Sequence, residues 1–149
     1  MELKIKALSP KVGRDFPAPH FATAGSAAMD LCACMDEAIT LAPGQRCMVP
    51  TGIAIALPSP AYVALVFARS GLGIKKGICL SNGVGVIDSD YRGEIGVGLV
   101  NLSQETYVIQ PGDRIAQLMV TPVLQPQLQF VQELDETERG AGGFGSTGR

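Results

Sequence analysis

Short runs of alternating or wholly apolar residues, broken by Pro and Gly, make up most of this chain. At its start, Leu3, Ile5 and Ala7 alternate with Lys4 and Lys6, which predicts a half-buried strand. Further strand-like runs occupy residues 39–41, 47–49, 53–57, 62–67, 78–80, 95–100, 107–109 and 115–120. Short strands punctuated in this way are typical of a β-sandwich or β-barrel, so we expect an all-β fold.

This pattern predicts very little helix. Residues 71–77 are predicted to form a single helical turn, and no strand–helix–strand alternation appears, which excludes a Rossmann or P-loop fold. A chain of 149 residues fits one domain. Charged residues are 17% of it, against about 25% in an average soluble domain, while 46% are hydrophobic. We therefore expect a subunit interface that covers part of the apolar surface.

Charge and composition exclude several classes of function. A net charge of −2 argues against binding of a nucleic-acid backbone, which requires clustered basic residues. No apolar run approaches the ~20 residues of a membrane span, so we expect a soluble, cytoplasmic protein without a membrane partner. The four cysteines form no Cys-x-x-Cys motif and are expected to be reduced and buried. His20, the only histidine, argues against a multi-histidine metal site and a Ser-His-Asp hydrolase.

Residues 83–93 combine three glycines with charged side chains. The glycines indicate that the main chain approaches something bulky, since glycine destabilises a strand by roughly 0.5–1 kcal/mol. Asp88, Asp90 and Arg92 alternate and would share one face of an extended chain, which makes either Asp a candidate general base. The side chain of Tyr91 offers a flat aromatic surface against which another ring could pack. The same composition also suits a plain Asp-rich hairpin turn.

Several polar residues stand in apolar surroundings or at strand ends. Asp30 lies in a small, apolar stretch, where it needs an ionic partner or a function, or else caps a turn. Gln117 interrupts an apolar strand, so its amide should be hydrogen-bonded, either within the protein or to a ligand. Arg69 and Ser70 follow a predicted strand, where polar side chains are well placed to meet a ligand.

The tail, residues 133–149, begins acidic and ends rich in glycine, so it cannot bury enough surface to fold alone. Its glycine spacing is similar to that of a phosphate-binding loop, but the expected Lys is missing. We interpret the tail as a flap whose N–H groups, Ser146 and Thr147 bind anionic oxygens while Phe144 stacks on a base. A disordered, solubilising tail is the alternative.

Five segments, taken together and in order, resemble the homotrimeric deoxyuridine triphosphatases, or dUTPases: residues 24–31, 69–73, 83–93, 111–118 and 139–148. The resemblance implies an all-β jelly roll or distorted β-barrel over residues 1–132, and a flexible C-terminal flap over residues 133–149. It also implies a homotrimer in which each active site draws on every chain. The implied partner is dUTP.

The activity implied by this resemblance is hydrolysis of dUTP to dUMP and pyrophosphate, by in-line attack of water at the α-phosphorus. That reaction limits uracil incorporation into DNA and supplies dUMP for thymidylate synthesis. Mg²⁺ is the implied cofactor. It is expected to arrive on the triphosphate, because the sequence has no dense cluster of Asp and Glu to hold it.

The resemblance also assigns roles to residues. Asp88 would orient and deprotonate the attacking water, Tyr91 would pack against the deoxyribose, and Asp30 would support the metal-triphosphate end indirectly, through water. Asn82 and the hairpin backbone would read the uracil edge, and Phe144 would close over it. The implied substrate-binding residues are Arg69, Ser70, Gly71, Asn82, Gly83, Val86, Asp90, Tyr91, Gln117, Arg139, Phe144, Gly145, Ser146 and Thr147.

The sequence departs from the family pattern in two places. Ala68 stands where most relatives have Pro, and Ala28-Met29 stands where Gly-Leu or Gly-Tyr is common.

A dCTP deaminase is the first alternative function. It has a similar fold, but it needs a Glu in the strand after the hairpin, and residues 95–100 hold no carboxylate. A nucleotide-binding regulator without turnover is the second alternative.

Overall fold

The computed structural model describes residues 1–143, in which eleven β-strands and one short helix are present. The elements are β1 (Lys4–Ala7), β2 (Met29–Cys32), β3 (Ile39–Leu41), β4 (Arg46–Pro50), β5 (Ile53–Ala56), β6 (Tyr62–Ala68), α1 (Ser70–Lys76), β7 (Ile78–Leu80), β8 (Gly85–Ile87), β9 (Gly96–Asn101), β10 (Tyr107–Ile109) and β11 (Arg114–Pro122). The prediction of an all-β fold is confirmed. The helical turn expected at residues 71–77 is present and begins one residue earlier.

The strands pair antiparallel in two larger and two smaller sheets within the described chain. The larger sheets have the orders β2-β11-β6-β8 and β4-β9-β7, and the smaller ones are β1-β5 and β10-β3. Neighbours in the four-stranded sheet are distant in sequence, so separate parts of the chain meet there. Gln117 of β11, for example, lies opposite Asp30 of β2 on one side and Phe67 of β6 on the other.

Apolar side chains from these sheets form one core. Leu31, Leu41, Ile53, Leu99 and Leu118 each expose 1% of their surface or less. Burial of such a side chain stabilises the fold by about 1.5–3 kcal/mol. Because the residues come from β2, β3, β5, β9 and β11, the core holds all the sheets together.

The polar side chain of Asn101, at the end of β9, is also fully buried. Its Nδ2 donates to the carbonyl oxygens of Leu41 and Glu105, both at 2.8 Å. Its Oδ1 accepts from the Ser103 N–H at 2.9 Å and from the Ser103 hydroxyl at 2.8 Å. The full hydrogen-bonding capacity of the amide is therefore used, and it ties β9 to β3 and to the following loop.

Gly77 ends α1 in the left-handed region, with a φ of 67°. Its N–H donates to the Gly73 carbonyl oxygen at 3.1 Å. A Cβ at this position would lie 2.9 Å from Ser103, so both backbone and packing require glycine.

Within residues 1–143, no helix has the length and apolar character needed to cross a membrane.

The four cysteines, Cys32, Cys34, Cys47 and Cys79, are free thiols, as predicted. Only Cys32 is fully buried, so the prediction of burial is correct for that residue and too strong for the others. Burial raises the pKa of the Cys32 and Cys47 thiols, which keeps them protonated near neutral pH.

The prediction that the first strand is half-buried holds for Leu3, which packs against the core, but is wrong for β1 itself. All four residues of β1 are exposed, including Ile5 at 39%. The reason is its place in the fold: among the described strands β1 pairs only with β5, so it is an edge strand with little packed against its faces. Alternation of apolar and charged residues predicts a strand but not what covers it.

The last strand ends at Pro122, and residues 123–143 form neither strand nor helix. Some apolar side chains in this segment are nearly fully exposed, with Leu124 at 91% and Phe130 at 97%. The division between a barrel at residues 1–132 and a flap at residues 133–149 stays a prediction.

Candidate active site

A cavity of about 240 Å³ lies between the segment at residues 82–91 and β9. It is here called the hairpin cavity, after the hairpin predicted at residues 83–93, although β7 pairs with β9 and β8 with β6. Four residues predicted from the sequence line it: Asn82, Val86, Asp88 and Tyr91. Asn82 and Val86 are exposed there, since β8 is the edge strand of the four-stranded sheet. The structure therefore brings together the residues assigned to the base, the sugar and the attacking water.

Glycines leave the main chain open along the hairpin cavity, which Gly85, Gly96 and Gly98 all line. A Cβ on Gly85 would lie 3.0 Å from the Val66 side chain, so a larger residue would push β8 away from β6. Gly83, also predicted, lies in the connection from β7 to β8 with a φ of 75°. A wall of main-chain N–H and C=O groups presents donors and acceptors in fixed directions, which suits the edge of a heterocyclic ring.

Asp88 lies at the rim of two cavities. It directly follows β8, whose buried Ile87 pairs with Ala64 of β6, and is itself exposed. It lines the hairpin cavity and also a cavity of about 510 Å³ that includes Asp90. A carboxylate between two solvent-accessible spaces can accept a proton from a water molecule placed beside it.

The segment after β8 is a turn, so the prediction that Asp88, Asp90 and Arg92 share one face of an extended chain is wrong. The Tyr91 N–H donates to the Asp88 carbonyl oxygen at 3.2 Å. Arg92 Nη1 donates to the carbonyl oxygens of Ser89 and Tyr91 at 2.7 and 2.8 Å. Local bonds of this kind compete with strand pairing. The alternative is correct about the turn but not about a hairpin, since β8 pairs with β6 while β9 pairs with β4 and β7. Both carboxylates still border one cavity.

The Tyr91 ring is held as one wall of the hairpin cavity. Its hydroxyl donates to the Glu94 carbonyl oxygen at 3.0 Å. The ring passes over Gly93, where a Cβ would meet the Tyr91 hydroxyl and lie 2.6 Å from Cζ. Glu94 also lines the cavity, and the sequence analysis missed it. The one available signal was its place directly after the glycine-rich segment.

Asp30, Arg69 and Arg114 form an ionic group, here called the arginine cluster, on the four-stranded sheet. Asp30 Oδ1 accepts from Arg69 Nε at 2.8 Å, and Oδ2 accepts from Arg114 Nη1 at 3.1 Å. Arg69 also donates to the Arg114 carbonyl oxygen at 3.2 Å. Asp30 thus has ionic partners, as the sequence required. Two guanidinium groups around one carboxylate leave an excess of positive charge, which favours anionic oxygens.

Gln117, Ser70 and Gly71 lie near the arginine cluster. Gln117 pairs with Asp30 in the sheet, and its Nε2 donates to the Ala68 carbonyl oxygen at 3.0 Å. Its amide is therefore hydrogen-bonded within the protein, one of the two alternatives predicted. Ser70 and Gly71 are exposed at the start of α1, directly after Arg69.

The hairpin cavity and the arginine cluster lie apart on one chain. Ile87, just before Asp88, pairs with Ala64 in β6, whereas Ser70 follows the far end of that strand. From Ala64 to Arg69 an extended chain spans about 16 Å, at about 3.3 Å per residue. On one chain, Asp88 therefore lies beside the first half of β6 and the arginine cluster lies past its end.

The remaining predicted residues belong to the tail. Arg139 is exposed, and its Nε donates to the Gly142 carbonyl oxygen at 2.9 Å, within a local turn. Four predicted residues lie outside the described part of the chain: Phe144, Gly145, Ser146 and Thr147.

The comparisons with known proteins identify a family. The sequence model of the dUTPase family matches residues 14–148. The chain is 49% identical over 148 residues to the deoxyuridine 5'-triphosphate nucleotidohydrolase of Escherichia coli O9:H4 strain HS, covering 99% of this chain and 98% of that protein. The protein of the same name from Shigella boydii serotype 18 gives the same values.

Solved structures agree with the sequence comparison. A mutant dUTPase of Staphylococcus bacteriophage 80alpha with dUpNHpp has a TM-score of 0.81 and 26% identity, covering 99% of both chains. A mutant dUTPase from phage phi11 of S. aureus, described for its coordination of a structural Mg(II) ion, has a TM-score of 0.76 and 25% identity, covering 89% of this chain and 98% of that one. With sequence and fold both matched over nearly its whole length, the chain belongs to the dUTPase family.

Proposed function

We propose that this protein hydrolyses dUTP to dUMP and pyrophosphate. The observation that carries the proposal is the hairpin cavity, a space of about 240 Å³ with the Asp88 carboxylate at its rim and the Tyr91 ring in its wall. Membership of the dUTPase family and relatives named deoxyuridine 5'-triphosphate nucleotidohydrolase support it. The cytoplasm is the proposed location.

Uracil would be selected by Asn82 and the main chain of the hairpin. Main-chain donors and acceptors cannot exchange places, so the amino group of cytosine would face another donor. An unpaired polar group costs about 1–3 kcal/mol, which is enough to disfavour cytosine strongly. Tyr91 would pack against the deoxyribose, in the space that a ribose 2'-hydroxyl needs.

Asp88 would orient a water molecule toward the α-phosphorus and accept its proton as the water attacks in line. Pyrophosphate then leaves with additional negative charge, which the arginine cluster and Arg139 are suited to stabilise. Ser70 and Gln117 would contact the phosphate chain. The tail would close the site as a flap, through Phe144, Gly145, Ser146 and Thr147.

We propose that Mg²⁺ enters as part of the substrate, already bound to the triphosphate. In residues 1–143, no group of three or more His, Cys, Asp or Glu side chains is arranged to hold a metal ion. Both carboxylate oxygens of Asp30 accept hydrogen bonds from guanidinium groups, so Asp30 is poorly suited to direct coordination. It would act on the metal-triphosphate end through water, consistent with the retention of water by Mg²⁺.

The complete site would require several copies of the chain. On one chain, Asp88 follows the residue that pairs with Ala64, about 16 Å along β6 from Arg69, yet the reaction would need both beside one triphosphate. We therefore propose a homotrimer in which a neighbouring chain supplies the arginine cluster, Ser70 and Gln117, and another supplies the flap. Exposed apolar side chains such as Met48 at 67% and Phe130 at 97% are available for such contacts.

Deamination of dCTP is disfavoured by the surroundings of the cavity. β9 contributes no carboxylate, because its sequence is GVGLVN. Glu94 does line the cavity, but its Oε1 accepts from the Gly52 N–H at 2.7 Å, which ties this carboxylate to the turn between β4 and β5. A nucleotide-binding regulator without turnover is distinguished from an enzyme by measuring pyrophosphate release from dUTP.

Pyrophosphate release measured with dUTP, dCTP, dTTP and UTP tests the proposal, and dUTP alone should be turned over. Asp88→Asn should lower kcat by about 10²–10⁴-fold, the usual contribution of a positioned base. Its affinity for a non-hydrolysable dUTP analogue should be unchanged, because the amide has the same shape. Asp36→Asn, at an exposed carboxylate outside both groups, is the matched control.

Two results would contradict this account. If wild-type protein released no pyrophosphate from dUTP, the proposed function would be wrong. If Asp88→Asn kept the wild-type rate while the wild-type protein was active, only the role of Asp88 would be wrong.

A further inference from the structure

We propose that Glu94 is a positioning residue that sets the selection of deoxyribose over ribose by holding Tyr91 in place. The inference rests on the proposed function, because it concerns how the same site selects its substrate. Glu94 would not itself touch the sugar. It would act through the Tyr91 hydroxyl, which donates to its carbonyl oxygen at 3.0 Å.

The Tyr91 ring is not fixed by packing alone. It borders the hairpin cavity and also a cavity of about 410 Å³ lined by Met48, Pro50 and Gly96. The residue is 46% exposed. A ring next to two open spaces can rotate into either of them unless a specific contact prevents it, and the hydrogen bond to Glu94 is such a contact.

Glu94 is held in turn by a buried and rigid part of the fold. Its Oε1 accepts from the N–H of Gly52 at 2.7 Å, and the carbonyl oxygen of the next residue, Ile95, accepts from the Thr51 hydroxyl at 2.6 Å. Gly52 is buried with a φ of 70°, and a Cβ there would lie 2.5 Å from Cys34 Sγ. The turn therefore has little freedom, and contacts connect it through Glu94 to the Tyr91 hydroxyl.

Loss of the Glu94 carboxylate would remove the acceptor of the Gly52 N–H, so that the main chain at residue 94 would be held only through the next residue, where the Ile95 N–H donates to the Ile53 carbonyl oxygen at 2.9 Å. The acceptor of the Tyr91 hydroxyl would be less firmly placed, and the ring would leave the wall of the hairpin cavity for part of the time. Space for a 2'-hydroxyl would then open. Glu94 would thus control the ratio of activities on dUTP and UTP more than the turnover of dUTP.

The test compares kcat/KM for dUTP and UTP in Glu94→Ala and Glu94→Gln. The dUTP-to-UTP ratio should fall by about tenfold in Glu94→Ala, since one ordinary hydrogen bond shifts a two-state population by about that factor. Glu94→Gln should keep the ratio, because its amide oxygen still accepts from the Gly52 N–H. Glu94→Asp, whose carboxylate is one methylene shorter, should lower the ratio and provides a second variant should Glu94→Ala not fold.

A structural control separates positioning from general loss of stability. Thr51→Val removes the neighbouring bond to Ile95 but leaves the Glu94 contacts in place. It should lower Tm without changing the dUTP-to-UTP ratio. If Thr51→Val lowered the ratio as much as Glu94→Ala, the effect would be structural and the inference would be overturned.

A second readout does not require turnover. The chain has no Trp and three Tyr, so in a Tyr62→Phe, Tyr107→Phe background the fluorescence comes from Tyr91 alone. Its anisotropy should fall in Glu94→Ala and be retained in Glu94→Gln. Unchanged anisotropy and an unchanged ratio in Glu94→Ala would overturn the inference. A wild-type protein that hydrolysed dUTP and UTP equally would instead contradict the proposed role of Tyr91, and one inactive on both would contradict the proposed function.

Discussion

Replacement of Gly93 by Ala should move the Tyr91 ring without unfolding the protein. The added Cβ would meet the Tyr91 hydroxyl and lie 2.6 Å from Cζ and 3.1 Å from Cε2. Carbon atoms pack at about 3.5–4.0 Å, so the ring must shift by about 1 Å. Because Tyr91 is 46% exposed and the atoms concerned lie at the end of its side chain, the ring should yield before the backbone does.

The energetic effect on folding should be small. A shift of about 1 Å disrupts the hydrogen bond of 3.0 Å between the Tyr91 hydroxyl and the Glu94 carbonyl oxygen. An ordinary hydrogen bond contributes about 0.5–1.5 kcal/mol net. Ala also lowers the entropy of the unfolded chain relative to Gly, which offsets part of the loss. The free energy of unfolding should therefore change by less than about 1 kcal/mol, or less than about 4 °C in Tm.

The assay is kcat/KM for dUTP and UTP beside a thermal unfolding curve. The dUTP-to-UTP ratio should fall by about tenfold in Gly93→Ala, as in the loss of one hydrogen bond that fixes the ring. Gly25→Ala is the control, because a Cβ on this exposed residue meets nothing within 4 Å. A folded Gly93→Ala protein with the wild-type ratio would refute the reasoning, since the ring would have moved without consequence for the sugar.

Two further measurements test the assembly and the core. Light scattering should give three times the 15.6 kDa mass of one chain, and a mass of 15.6 kDa would remove the shared-site proposal. Asn101→Asp keeps the shape of the side chain but places an oxygen against the carbonyl oxygens of Leu41 and Glu105, which now accept at 2.8 Å. Each unpaired group costs about 1–3 kcal/mol. Tm should fall by roughly 10 °C, and a fall below about 2 °C would contradict this account of the amide.

The fold class and most candidate residues could be predicted from the chain alone. Short apolar runs between Pro and Gly are local features, and strands need little more than such runs to be recognised. The helical turn at residues 71–77 could likewise be predicted, because Gly77 ends it through its own backbone freedom. Asp30 and Gln117 stood out for a similar reason: a polar group in an apolar strand must be satisfied by something.

Which of these groups meet depends on the order of the strands in the folded protein. Asp30 and Arg69 are 39 residues apart, and Asp30 and Arg114 are 84 apart, so the order β2-β11-β6 is what forms the arginine cluster. The alternation of Asp88, Asp90 and Arg92 after β8 is compatible with a strand and with a turn. Local hydrogen bonds favour the turn. Glu94 gave almost no signal, because its importance depends on Gly52, 42 residues away. Within a strand, the pattern of apolar and polar residues determines which face of the sheet a side chain occupies. The residues that it contacts on that face depend on strand order and register, which the packing of the whole core sets.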